Sequence, residues 1–90
     1  MNLIQHYING KIYKGSSSRK GKVFNPATGA QESEVILGTK SDLDHAVENA
    51  KTAFEKWSQV TPLQRARIIF KYKELIEKNY DELTKLIVSE

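Results

Sequence analysis

Apolar and polar positions change rhythm along this 90-residue chain, and the changes mark its elements. Between His6 and Lys14, Tyr7-Ile8 and Ile12-Tyr13 flank Asn9-Gly10. That pair best accepts the positive φ angles of a two-residue type I′ turn, so the stretch predicts a β-hairpin. Gly15 to Lys22 is polar and unpatterned and is expected to be a mobile surface loop. Lys22-Val23-Phe24, the breaker cluster Asn25-Pro26-Ala27-Thr28-Gly29 and then Gln31 to Leu37 predict a second strand pair around a turn shaped by Pro and Gly. Gly38 closes the strand pattern.

Beyond Gly38 the period changes from two to 3.6. Thr39-Lys40-Ser41-Asp42 offers two overlapping N-caps, Thr39 with Asp42 or Ser41 with Asp44. Leu43, Ala46, Val47, Ala50, Phe54 and Trp57 then advance in steps of three and four, one apolar face of a helix that must pack against something. Thr61-Pro62-Leu63-Gln64 is a second start signal, with Thr61 as N-cap, Pro62 at the first helical position and Gln64 able to complete a capping box. Ala66, Ile69, Phe70, Tyr72, Ile76, Tyr80, Leu83 and Ile87 carry its apolar side, and Asn79 with Glu82 marks a restart, so a break is expected near 78–80. No Gly, Asn or Pro terminates the last apolar run before Glu90, which reads as a cut inside a longer protein.

The expectation is therefore an α+β fragment, two amino-terminal β-hairpins followed by two or three α-helices. Residues 1–90 form one incomplete segment: strands and loop over 1–38, a helix over 41–58, and a helix over 61–90 with its break. A chain of 10.3 kDa leaves no room for two cores, and 39% hydrophobic with 28% charged residues is ordinary globular usage, far from the composition of disorder. The net charge of +3 is split as +4 over residues 1–40, −2 over 41–60 and +1 over 61–90, too mild to define an anionic partner. Neither a leader-like start nor a membrane-length apolar run is present, and no Asn begins a glycosylation sequon, so the protein is expected in the cytoplasm, soluble, without membrane partners.

Candidate chemistry is sparse. The absence of cysteine removes disulfides, thiolate metal sites and thiol nucleophiles. His6 and His45 fall in different elements without metal-ligand spacing, and each reads as a surface or partly buried imidazole. Asp42, Asp44 and Glu48 gather at a helix start, where negative charge complements the macrodipole without any catalytic role. A phosphate-binding loop at Gly15 to Lys22 fails because five residues separate its glycines and Val23 stands where Ser or Thr is required. Arg65, Arg67, Lys71 and Lys73 raise a helix-turn-helix reading, but Glu74 and Glu77 interrupt that face and a Lys73–Glu77 pair suits a solvated helix. A small interaction module, its apolar helix faces bound to a partner, stays open as an alternative, and DNA binding is the weaker one.

The order of these pieces resembles the amino-terminal segment of the aldehyde dehydrogenase superfamily through almost the whole chain. Tyr7-Ile8-Asn9-Gly10 is similar to its opening strand and turn, Asn25-Pro26-Ala27-Thr28-Gly29 to its early turn, and Ser41 to Val47 with Ala53-Phe54-Glu55-Lys56-Trp57 to its first helix. Thr61 through Leu75 resembles most the acylating branch, which acts on methylmalonate semialdehyde and uses coenzyme A. The resemblance implies a parent oxidoreductase in which a cysteine thiolate attacks the aldehyde, NAD takes the hydride and coenzyme A accepts the acyl group. It also implies that the remainder of the dehydrogenase chain, and other subunits of a homo-oligomer, are this segment's partners. With no cysteine and no Gly-rich dinucleotide fingerprint after a strand, no catalytic, cofactor-binding or metal-binding residue carries over. The 90 residues alone are expected to be inactive, to bind neither NAD nor coenzyme A, and to contribute packing and interface.

Overall fold

A computed structural model describes residues 2–90; the first residue of the expected 1–38 stretch lies outside them. Among the described residues the order is β1 (Asn2–Ile4), β2 (His6–Ile8), β3 (Lys11–Tyr13), β4 (Lys20–Phe24), β5 (Gln31–Ile36), α1 (Lys40–Trp57), α2 (Pro62–Lys78) and α3 (Tyr80–Val88). The β2–β3 hairpin pairs His6 with Tyr13 and Ile8 with Lys11. Its turn places Asn9 at φ 57° and Gly10 at φ 72°, the two positive angles a type I′ turn requires.

The β4–β5 hairpin turns through Asn25 to Ala30. Asn25 Oδ1 accepts from the Ala27 amide at 2.9 Å, its carbonyl accepts from Gly29, and the Thr28 hydroxyl accepts from Ala30. Gly29 sits at φ 75°, where a side chain would be strained. Each polar residue of this turn thus closes a local ring that the backbone would otherwise leave open.

Both expected hairpins form, and the structure adds to the expectation at two places in this region. The strands form more than hairpins: β1 lies parallel to β5, with Asn2 opposite Ser33 and Ile4 opposite Val35, giving the order β1-β5-β4. Three residues carry no readable alternation, and a parallel partner some thirty positions away leaves no local trace. Nor is Gly15 to Lys22 simply a mobile loop. Its last three residues lie in β4, Ser17 Oγ accepts from the Arg19 amide, the Arg19 carbonyl accepts from the Leu37 amide, and Arg19 Nη2 donates to the Gly38 carbonyl.

Of the two possible caps for α1, Thr39 with Asp42 is the one formed. Thr61 caps α2 through the Gln64 amide, with Pro62 in the first turn. The helix breaks at Asn79, but not by a new side-chain cap: Asn79 Nδ2 turns back to the Leu75 carbonyl at 2.8 Å, closing α2 instead of opening α3.

The core is minimal. Ile36, on the central strand, is the single buried apolar side chain among the described residues, while Phe54, Phe70 and Ile87 are each more than 60% exposed. The radius of gyration is 16.9 Å, against about 12 Å for a compact 90-residue domain. Extents of 47 × 35 × 15 Å describe a slab one element thick, whereas a self-sufficient domain needs two packed layers.

Candidate functional site

The densest convergence of polar groups is where the amino end of α1 meets the strands. Asp42, 4% exposed, serves α1 as the third residue of its capping box: Oδ2 accepts from the Thr39 amide at 3.0 Å, and the Thr39 hydroxyl accepts from the Asp42 amide at 3.1 Å. Its Oδ1 accepts from the Ser16 amide at 3.1 Å and the Ser16 hydroxyl at 3.3 Å, and the Ser16 and Thr39 hydroxyls lie 2.9 Å apart. His6 Nε2 sits 3.7 Å from Asp42 Oδ2, buried and without a hydrogen-bond partner. Gly15, at φ 78°, completes the cluster because a Cβ there would lie 3.1 Å from both His6 and Asp42.

Desolvation of Asp42 favours its neutral form, but hydrogen bonds from Thr39 and then Ser16 more than offset that and hold the carboxyl below its ordinary 3.8. The carboxylate is therefore the form this cluster is built around.

A serine, a histidine and an aspartate in one place invite comparison with a hydrolytic triad, and the geometry refuses it. A working nucleophile hydrogen-bonds to the imidazole, which the carboxylate orients. Here Ser16 donates to the carboxylate itself, and His6 Nε2 receives nothing. The cluster closes a loop over a helix start and sets no imidazole against the Ser16 hydroxyl.

The other candidates are scattered. His45 stacks on Tyr13, ring centroids 4.5 Å apart, and joins α1 to the β2–β3 hairpin. Asp44 pairs with Lys40 along the helix, and Glu48 is exposed. Lys71 and Lys73 pair with Glu74 and Glu77 on their own helix, which spends that basic face on intrahelical contacts. No group of three His, Cys, Asp or Glu side chains suited to a metal occurs among the described residues, and no helix among them is long and apolar enough to cross a membrane. Sequence reasoning placed Thr39 and Asp42 but missed Ser16, Gly15 and His6 as their partners. The capping signal is local, whereas Ser16 reaches Asp42 across 26 positions.

A dinucleotide does not fit these residues. Its pyrophosphate needs a strand-to-helix turn with free amides at the helix amino end. The strand-to-helix junction here is β5 to α1, and its amino end already holds the Asp42 carboxylate, which would repel a phosphate.

The strand, turn and helix order, with so little enclosed by itself, is that of a part of a larger enzyme fold. The chain belongs to the aldehyde dehydrogenase family, whose model matches residues 12–90. Among curated relatives, malonate-semialdehyde dehydrogenase 1 of Shouchella clausii is 47% identical over 87 residues, 97% of this chain and 18% of that protein. Malonate-semialdehyde dehydrogenase 2 of Bacillus cereus is 42% identical over 88 residues and is likewise covered over 18% of its length. Two solved structures superpose on the whole of this chain. One, from Sinorhizobium meliloti, is described as a methylmalonate-semialdehyde dehydrogenase complexed with NAD, with TM-score 0.97 and 40% identity. The other, the methylmalonate-semialdehyde dehydrogenase of Oceanimonas doudoroffii, has TM-score 0.95 and 39% identity; this chain spans 18% of each.

Proposed function

We propose that this chain is the amino-terminal structural segment of an NAD-dependent, coenzyme A-acylating malonate- or methylmalonate-semialdehyde dehydrogenase of the cytoplasm. The observation that carries the proposal is the near-complete superposition, at TM-score 0.97, of a segment that buries one apolar side chain of its own. Residues so exposed keep a full-length enzyme's conformation only where the rest of that enzyme covers them.

In such an enzyme NAD accepts the hydride and coenzyme A accepts the acyl group. With no cysteine among its 90 residues, this segment supplies no thiolate. Its contribution is to close the β4–β5 turn, to seat α1 against the strands through Asp42 and Tyr13, and to present the faces of α1, α2 and α3 to the catalytic body and to other subunits of a homo-oligomer. None of its residues touches the reacting atoms, and a nucleic acid or membrane surface has no part in the reading.

A chimaera tests this. The matched 87 residues of the Shouchella clausii enzyme are replaced with this chain, and NADH formation is followed with malonate semialdehyde and coenzyme A. A folded enzyme retaining most of the parental rate supports the reading. An insoluble or inactive chimaera, beside an active parent, overturns it.

A further inference from the structure

The asparagines of this chain differ in what holds their side-chain amides. Asn25 is bonded at both ends, to the Ala27 amide and to Glu32, and Pro26 after it has no N–H. Asn49 and Asn79 each donate to the helix carbonyl four positions earlier, at 2.8 Å. Asn2 lies in the β1–β5 ladder and is followed by Leu3. Asn9, at the exposed tip of the β2–β3 hairpin, makes no side-chain hydrogen bond among the described residues, and neither does the amide of Gly10 after it. A Cβ placed on Gly10 would meet nothing within 4 Å, so that amide stands in open space.

A free amide nitrogen next to a free carboxamide, with no side chain to screen it, closes a five-membered ring. The Gly10 nitrogen bonds to Asn9 Cγ, and the side-chain nitrogen leaves as ammonia with the amide proton, giving a succinimide. Water then cleaves one of the two ring C–N bonds. Cleavage on the side-chain side gives an aspartate, and cleavage on the main-chain side gives an isoaspartate, whose backbone runs through Cβ and Cγ. Ring closure needs Asn9 to rotate out of the left-handed angles of the turn, so the hairpin gates the reaction. That gate is weak, because β2 and β3 have three residues each and form a two-stranded sheet of their own, a marginal structure in water. Beside the turn, an open groove lined by Glu48, Thr52 and Lys56 of α1 gives water access to Asn9.

We propose that Asn9-Gly10 is a site of spontaneous deamidation, and that its isoaspartyl product uncouples the β2–β3 hairpin from α1. The two-residue loop sets the register of His6 with Tyr13 and Ile8 with Lys11. An isoaspartate adds one atom to the backbone of that loop and abolishes the paired positive φ angles. The shift reaches α1 because Tyr13 stacks on His45 with ring centroids 4.5 Å apart, and His6 Nε2 lies 3.7 Å from Asp42 Oδ2. The aspartyl product, which tolerates a positive φ, keeps the turn.

The chimaera, with the free chain beside it, is held in mildly alkaline buffer at physiological temperature, with and without denaturant, and then digested for peptide mass analysis. The peptide containing Asn9 is expected to gain the mass of an amide-to-acid exchange, more slowly in the folded chimaera than in denaturant, with isoaspartate among its products. Peptides holding Asn25, Asn49 and Asn79 are expected to stay unchanged over the same interval. Asn9→Gly keeps a type I′ turn as Gly-Gly and removes the reactive amide. It should hold its Tm through the incubation while the unsubstituted chimaera loses several degrees. Three results overturn the proposal: an unmodified Asn9 in the folded chimaera beside conversion in denaturant, conversion at Asn25, Asn49 and Asn79 at the same rate, or an equal loss of Tm in Asn9→Gly. An inactive chimaera strikes the dehydrogenase reading alone, since the modification is read on the peptide and the free chain carries the same site.

Discussion

Asp42 shows how one side chain ties distant parts of the chain together. It caps α1 through Thr39 and holds Ser16 across 26 positions, and its carboxyl is kept below 3.8 by those bonds. A carboxyl lowered in the folded state stabilises that state above its unfolded pKa, and the contribution disappears as pH falls through the folded value. Protection of the Ser16 and Thr39 amides from hydrogen exchange should therefore be full near neutrality and be lost only below about 3.8. In Asp42→Asn that acid-dependent loss should be absent, because protection is already weak at neutral pH. Gly15→Ala acts on the same cluster from the other side. A left-handed alanine costs about 1–2 kcal/mol, and its Cβ would press on His6 and Asp42 at 3.1 Å. Thermal unfolding of the chimaera should report a loss of at least that size.

At the scale of elements, helix starts and stops follow local chemistry. Thr39 and Thr61 both place a hydroxyl where the third amide of a helix needs an acceptor. Thr39→Ala should cost about 1 kcal/mol, measured by chemical denaturation of the chimaera, and Thr39→Ser should recover most of it. The choice of Thr39 over Ser41 was not legible: both boxes satisfy the same rule, and the strand end at Ile36 with Ser16 on the far side decides between them. The break at Asn79 was legible in position but not in mechanism, since an asparagine amide caps a preceding carbonyl as readily as a following amide. β1 was illegible, because three residues acquire their state from β5 and not from their own pattern.

For the whole molecule, a slab 15 Å thick with a nearly empty core cannot offset the entropy of ordering ninety residues by its own burial. The isolated chain is expected to be weakly stable and to self-associate. Sedimentation velocity across a range of concentrations should show mass rising with concentration, and a sharp, concentration-independent unfolding transition of a monomer would contradict this. Calorimetry with NAD should give no heat of binding from the isolated chain, since α1's amino end is already held by Asp42.

The sequence by itself determined what depends on near neighbours: the Asn9-Gly10 turn, the Asn25 to Gly29 turn, the two capped helix starts, the break near Asn79 and the family to which their order belongs. These rest on backbone angles and hydrogen bonds closed within about five residues. Only the tertiary structure decided that β1 joins β5, that Ser16 and Gly15 lock onto Asp42, and that, among the described residues, Arg65 Nε finds no acceptor and the amphipathic helix faces find no cover. A periodic pattern states that a face must be buried, but the burying surface is set by contacts between residues far apart in sequence, and among the described residues such contacts bury only Ile36 of the apolar side chains.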